Sequence, residues 1–287
     1  MSKKLLKFLK GYRIYAILTP IVIILEVLLE VYIPFIMAQI IDIGIANRDM
    51  NYIYKKGILM IVMATLALVC GAVAAYFSST AGTGYSKNIR RGIYNKIQDF
   101  SFSNIDKFST PSLVTRLTTD VANTQMAFMM SIRMMVRAPV MFVFAVFMSV
   151  RINAELSLIF LFAIPILIAT LSLISTKAYP RFQIMLEKYD GLNAIVQENL
   201  IAIRVVKAFV RGDYEKEKFD DVAGQVRDAQ TKAEKIIIWN MPIMQLIIYS
   251  CIIAIAWFGG NKIVIGQMQT GQLISFISYV TQILMSL

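Results

Sequence analysis

The sequence predicts an all-α membrane protein: a six-span transmembrane helical bundle with two long cytoplasmic helical hairpins and an N-terminal elbow helix. Three observations predict it. Hydrophobic residues make up 57% of the 287 and charged residues 16%, against about 25% charged in soluble proteins. Long proline-free stretches keep a helical apolar pattern well past the roughly 20 residues that a bilayer needs. The stretch 198–209, ENLIAIRVVKAF, stands between two heptad seams. The first seam is Phe182, Met185, Tyr189, Leu192 and Val196. The second is Phe219, Val222, Val226, Ala229, Ala233 and Ile236. Alternating steps of three and four belong to helices packed along a seam. An antiparallel hairpin with its tip near residues 199–212 follows, and Gly212 is the residue expected to turn the chain.

Composition also excludes. With no histidine, imidazole catalysis and His-ligated zinc are out. Cys70 and Cys251 stand alone in apolar runs, without metal-ligand spacing. Neither a catalytic residue nor a metal ligand is expected. The net charge of +11 points to basic cytoplasmic loops rather than to nucleic acid.

Residues 1–13 set Lys3, Lys4, Lys7, Lys10 and Arg13 against Leu5, Leu6, Phe8 and Leu9. That pattern is a basic amphipathic helix for the headgroup plane. A signal peptide is the rival, but the apolar run behind it is too long and no A-x-A-type site follows. The first span covers about 14–43 and carries Glu26 and Glu30, four apart and so on one face. Carboxylates inside a bilayer are costly and face a cavity or a partner. They are candidate substrate-cavity residues, with hydration of a wet part of the bundle as the alternative. Pro34 is expected to bend this helix.

The second span covers about 58–77 and continues as an amphipathic helix. Without proline from 52 to 100, it should reach about 73 Å at 1.5 Å per residue, against a hydrocarbon core of about 30 Å. A first cytoplasmic hairpin, about 80–125, has its tip near 103–111. The third span, about 126–150, carries Arg133 and Arg137. Counted from Arg151 they lie roughly 27 and 21 Å deep, near the opposite headgroups, where they are expected to snorkel. Its methionines suit lipid-facing filler or a tolerant binding surface. The remaining spans are about 154–175, 236–258 and 273–287, with the second hairpin at about 176–236. Gly259 and Gly260 are expected to turn the chain before the last span.

Lysine and arginine fix the orientation. Five lie in the N-terminal helix, six in the first hairpin and eleven in the second. The positive-inside rule therefore puts the N-terminus and both hairpins in the cytoplasm. At the second tip, Ile201, Ile203, Val205, Val206 and Phe209 crowd an end that should be exposed. Such a patch marks a docking surface, unless the tip folds back on itself.

These residues carry a family resemblance over essentially the whole chain. Two cytoplasmic hairpins, six spans and an elbow helix resemble the transmembrane domain of a type I ABC exporter. KFSTPSLVTRLTTD at 107–120 and ENLIAIRVVKAF at 198–209 are similar to the segments at its two cytoplasmic tips. The family usually has glycine where Pro111 and Ala202 stand. IIDIGIANRD at 40–49 and VRAP at 136–139 are closest to halves of bacterial heterodimeric multidrug exporters.

The resemblance implies an elbow at 1–13 and a transmembrane domain at 14–287. It implies coupling helices near 103–111 and 198–207 that seat on ATP-binding domains. Asn104, Ile105, Phe108, Ile201, Ile203, Arg204, Val205 and Phe209 would make those contacts. Two halves would assemble, a heterodimer in preference to a homodimer, in the cell membrane. ATP with Mg would drive export of hydrophobic small molecules or drugs, so the full-length protein would be an ATP-hydrolysing translocase. No G-x-x-x-x-G-K-[ST] occurs in the chain, so a nucleotide-binding domain is expected C-terminal to 287. The last span, too short to cross, is expected to be truncated. A separate ATPase chain is the alternative. For cargo, the acidic pair suggests amphipathic cations; lipids or peptides are the rivals. A different class, a secondary transporter with Glu26 and Glu30 as proton carriers, would leave both hairpins unexplained. A membrane scaffold would leave the carboxylates unexplained.

Overall fold

In a computed structural model the described residues are 5, 7–101, 108 and 110–286, and among them every regular element is helical. Their helices are α1 (Arg13–Gln39), α2 (Met50–Gln98), α3 (Thr110–Thr115), α4 (Val121–Ile152), α5 (Ala154–Ala208), α6 (Gly212–Ile237), α7 (Asn240–Val264) and α8 (Thr270–Met285). A π-helical stretch, Ile40–Ile45, prolongs α1, and another, Arg116–Asp120, joins α3 to α4. Five continuous helical runs are long and apolar enough to cross a membrane: Arg13–Ile45, Met50–Gln98, Thr110–Ile152, Ala154–Ala208 and Gly212–Val264. The protein is an all-α transmembrane bundle.

The chain divides into two compact units, Met1–Ser157 with Ile255–Leu287, and Leu158–Ala254. In the first, α1 packs against α2, α4 and α8. Small residues let the backbones approach: Ala67, Ala74, Ser78, Ala81 and Gly82 are buried along one stripe of α2, the small-residue spacing that membrane helices use for close packing. Gly84 and Gly92 leave room for the rings of Tyr12 and Phe8, which reach across from the N-terminal segment. Asn88 holds that segment too, its Nδ2 donating to the Phe8 and Lys10 carbonyls at 2.7 and 3.0 Å. Leu9, Tyr85, Ile89, Val121 and Phe128 form one apolar cluster beneath it.

The α1–α8 contact is closed at both heights. Phe276, Tyr279, Val280, Ile283 and Leu284 are fully buried on α8. Tyr279 donates its hydroxyl to the Val31 carbonyl at 2.7 Å, just before Pro34. Asp42, in the π-helical stretch, accepts from the Gly271 and Gln272 amides at 2.6 and 3.0 Å. A carboxylate there satisfies two orphan donors of the first turn of α8 and complements its dipole. Residue 271 has to be glycine, because a Cβ would sit on the Ala38 carbonyl and the Asp42 carboxylate.

The second unit holds the hairpin of α5 and α6. Its arms are antiparallel: Lys188 bonds Gln225, Tyr189 bonds Gln230, Glu198 bonds Lys218 and Asn199 bonds Glu215. On α6 the expected seam is present, with Val226 and Ala233 buried, but Phe219 is 41% exposed. On α5 Phe182, Met185 and Leu192 of the expected seam are half-buried, but Tyr189 and Val196 are exposed and Ile195 and Asn199 take the inward side instead. A 3.6-residue helix drifts off a 3.5-residue repeat over several turns.

Two expected turns lie elsewhere. Val210, with φ +53°, turns the hairpin, and Gly212 instead opens α6. Gly259 and Gly260 are helical in α7, where Leu273 packs over Gly259; the chain turns at Gly266, φ +75°. The last helix accordingly starts at Thr270 rather than near Leu273. Glycine inside these membrane helices serves packing, and among the described residues Gly11 (φ +89°) and Gly266 use the left-handed conformation that glycine permits.

Candidate functional site

Two places collect the residues singled out from the sequence. The first lies in the first unit, between α1 and α4. Glu26 and Glu30 share one face of α1, and Arg137 of α4 reaches both. Its Nη1 donates to Glu26 Oε1 at 2.5 Å, and its Nη2 donates to both oxygens of Glu30 at 2.9 and 2.7 Å. Fork-shaped guanidinium geometry matches carboxylates in this way. Gly71 of α2 admits the group, since a Cβ there would stand 3.1 Å from Glu26 Oε1.

This corrects the expectation that Arg137 snorkels to headgroups. The cause is energetic: two carboxylates on one face need a compensating charge where solvation is poor, and Arg137 is on a neighbouring helix at the same height. With one positive and two negative members the cluster keeps a net charge of −1, and no carboxylate is left unpaired to meet a cationic cargo. Arg133 stays exposed.

Beside the cluster, a cavity of about 540 Å³ opens between α4 and α8. Arg137 lines it with Met134, Ala138, Met141, Gln282 and Met285; Glu26 and Glu30 do not. Met126, Met130 and Met135 are exposed on the outside of α4, and Met129 packs on Gly82. Of the methionines in the first half of this helix, Met134 belongs to the cavity.

The second place is the tip of the α5–α6 hairpin. Ile201, Val205 and Phe209 are 78, 58 and 73% exposed, so the apolar tip does not fold back on itself. Ile203 instead turns partly inward, along a groove of about 720 Å³ with Ile195, Val206 and Phe219. Arg204 is exposed. Behind the tip, the Glu198 carboxylate accepts from Lys218 at 3.1 Å and holds that ammonium above its usual range. Asn104 and Ile105 of the first tip lie outside the described residues. Phe108 is half-buried, stacked on Phe100 at 5.8 Å, with Arg116 over its ring at 5.6 Å.

No cluster of metal ligands occurs among the described residues. Sequence reasoning also missed Asp42 as the cap of α8 and Lys262 as the partner of Glu155. A signal existed for Arg137 alone: the acidic pair demanded a cation, and the third span offers two.

Comparison with known proteins matches residues 16–287 to the family of the ABC transporter transmembrane region. An uncharacterized ABC transporter ATP-binding protein of Bacillus subtilis, YfiB, is 34% identical over 281 residues, 98% of this chain and 49% of that protein. The multidrug resistance-like ATP-binding protein MdlA of Buchnera aphidicola is 26% identical over 95% of this chain and 47% of its own length. An ATP-dependent lipid A-core flippase of Vibrio parahaemolyticus is 21% identical over 94% of this chain and 46% of its own. The chain spans about half the length of the curated relatives it matches.

Proposed function

The chain belongs to the ABC transporter transmembrane-region family, and from that premise we propose that it is the membrane-spanning half of an ATP-driven exporter. It forms the translocation pathway and couples it to ATP-binding domains. The observation that carries this is the second tip: Ile201, Val205 and Phe209 exposed at the end of a hairpin whose arms, α5 and α6, are themselves held together by polar rungs. An apolar patch so placed suits insertion into a partner groove, and stiff helices carry a displacement of the tip toward the membrane. Residues 201, 203, 204, 205 and 209, with 104, 105 and 108 at the first tip, are the proposed coupling contacts.

The motor is assigned to a nucleotide-binding domain beyond residue 287. Residues 1–287 contain no phosphate-loop motif, so none of them is given to ATP or Mg. A second transporter half completes the pathway, a heterodimer by the likeness of 40–49 and 136–139 to heterodimeric exporters. The N-terminus and both hairpins face the cytoplasm of a cell-membrane protein, on the distribution of lysine and arginine.

Hydrophobic small molecules or drugs are the proposed cargo. The methionine-lined cavity supports this, since methionine accommodates varied apolar shapes, as does the likeness to a multidrug resistance-like protein. Lipid is the second reading, favoured by the likeness to a lipid A-core flippase. Proton carriage by Glu26 and Glu30 is disfavoured, because both oxygens of Glu30 and one of Glu26 are engaged by Arg137.

The test is Ile203→Asp and Phe209→Asp in the full-length protein with its partner half. Assembly should persist while dye transport separates from ATP hydrolysis. Transport at wild-type rates per ATP in both variants would sink the coupling assignment.

A further inference from the structure

The cavity between α4 and α8 has one charged wall group. Arg137 lines it, with Met134, Ala138, Met141 and Met285 as apolar wall; Gln282 is a polar neighbour, as are Thr281 and Ser286, whose hydroxyls donate to carbonyls of their own helix. A guanidinium carries five N–H donors. The bonds to Glu26 and Glu30 leave from Nη1 and Nη2, and Nε makes none of them. The side chain is 41% exposed while its acidic partners are 11 and 30% exposed. The carboxylates thus fix the guanidinium from behind, and unused N–H donors remain on the one group that also borders the cavity.

Three ligand types fare differently there. A cation finds both carboxylates already bonded to Arg137. An anion meets a cluster whose net charge is −1. A neutral acceptor, such as an amide, ester or ether oxygen, takes an unused N–H without changing the charge balance, and the methionines accept its apolar body.

We infer that Arg137 is the specificity-determining contact of this cavity, and that the cavity takes neutral amphipathic molecules bearing a hydrogen-bond acceptor. Glu26 and Glu30 are positioning residues, acting through Arg137. The inference rests on the reading of this bundle as an export pathway, and it replaces selection for cations by the acidic pair.

The experiment uses the full-length protein with its partner half in nanodiscs, with empty nanodiscs as the baseline. Three probes share one scaffold: pyrenebutyramide, pyrenebutyrate and pyrenylbutyl-trimethylammonium. Binding is read by fluorescence anisotropy. The amide should bind at least about tenfold tighter than either charged probe, the scale of one hydrogen bond to a charged donor. Because Arg137→Met alone leaves two unpaired carboxylates, the informative variant is the uncharged triple change Glu26→Gln, Glu30→Gln, Arg137→Met. It should lose that preference about tenfold. Arg137→Met, where it folds, should bind the trimethylammonium probe best. Tightest binding of the cation by the wild type, unchanged amide binding in the triple variant, or no binding of any probe would each overturn the inference. ATP-driven uptake of the amide into inside-out vesicles separates the two readings. Uptake that ignores Arg137 removes the contact and leaves the exporter, whereas Arg137-dependent binding without uptake does the reverse.

Discussion

The two units join their helices by opposite means. Along α1, α2 and α4 the contact is small residues and one compact charge cluster, Glu26–Arg137–Glu30, half hidden from solvent. Between α5 and α6 it is a ladder of long polar side chains standing in the open: Lys188 to Gln225, Tyr189 to Gln230, Glu198 to Lys218. Similar chemistry carries different weight in the two settings. Where solvation is poor, an abandoned charge is costly; where water competes, an ion pair contributes little and salt screens it. The first interface specifies which helices meet, and the second tolerates replacement of its rungs.

The largest effect should come from Arg137→Met. Removing one partner of a buried pair costs about 3–5 kcal/mol; with the Arg137 side chain 41% exposed, about 2–3 kcal/mol is expected. Thermal unfolding in nanodiscs measures it, and the uncharged triple variant should regain most of the loss. A wild-type melt for Arg137→Met would erase the contrast between the units.

Next comes Gly84→Leu, which sets a side chain against the Tyr12 ring. Overpacking of this kind costs about 1–3 kcal/mol, and the N-terminal segment should come free, read as faster tryptic cleavage at Lys7 and Lys10. Unaltered cleavage would mean that the close approach of Tyr12 does not anchor the segment.

The smallest effect belongs to Lys218→Ala, expected to melt within replicate scatter of the wild type. Pairing raises the Lys218 pKa above its ordinary 10.5. Its contribution is therefore present below that value and lost as pH rises through the folded pKa, so the melts should be flat from pH 7 to 9. Sodium chloride at about 0.5 M should remove the remainder in the hairpin and leave the Arg137 cluster in place. A marked drop for Lys218→Ala at low salt would show that the rungs do specify the pairing.

Much of this was legible beforehand, and the exceptions have physical causes. The all-α bundle follows from composition, and the long α2 follows from a proline-free pattern. The α6 seam could be read from spacing because one side of that helix faces its partner and the other faces water. The Arg137 contact was missed because the depth of Arg137 was set against the headgroups and not against that of the acidic pair. Counted from residue 43, Glu30 and Glu26 lie about 20 and 26 Å in; counted from Arg151, Arg137 lies about 21 Å in. Measured from the same side, the three residues share a height. The turn at Val210 could not be read, because a β-branched residue at positive φ runs against local preference. Nor could the Asp42 cap: residues 42 and 271 are joined only by the packing of α1 on α8.

That last contact has a consequence for how the protein is made. The first unit is split in sequence, with Leu158–Ala254 emerging from the ribosome between its two parts. At 5–20 residues per second, that insertion delays the final part by roughly 5–20 s. Throughout the delay the Asp42 carboxylate has no Gly271 and Gln272 amides to accept from, and the Val31 carbonyl has no Tyr279 hydroxyl. The seam of α1 that α8 will cover stands open to lipid, to insertion factors and to proteases. Of the two units, the one begun first is the later to be completed.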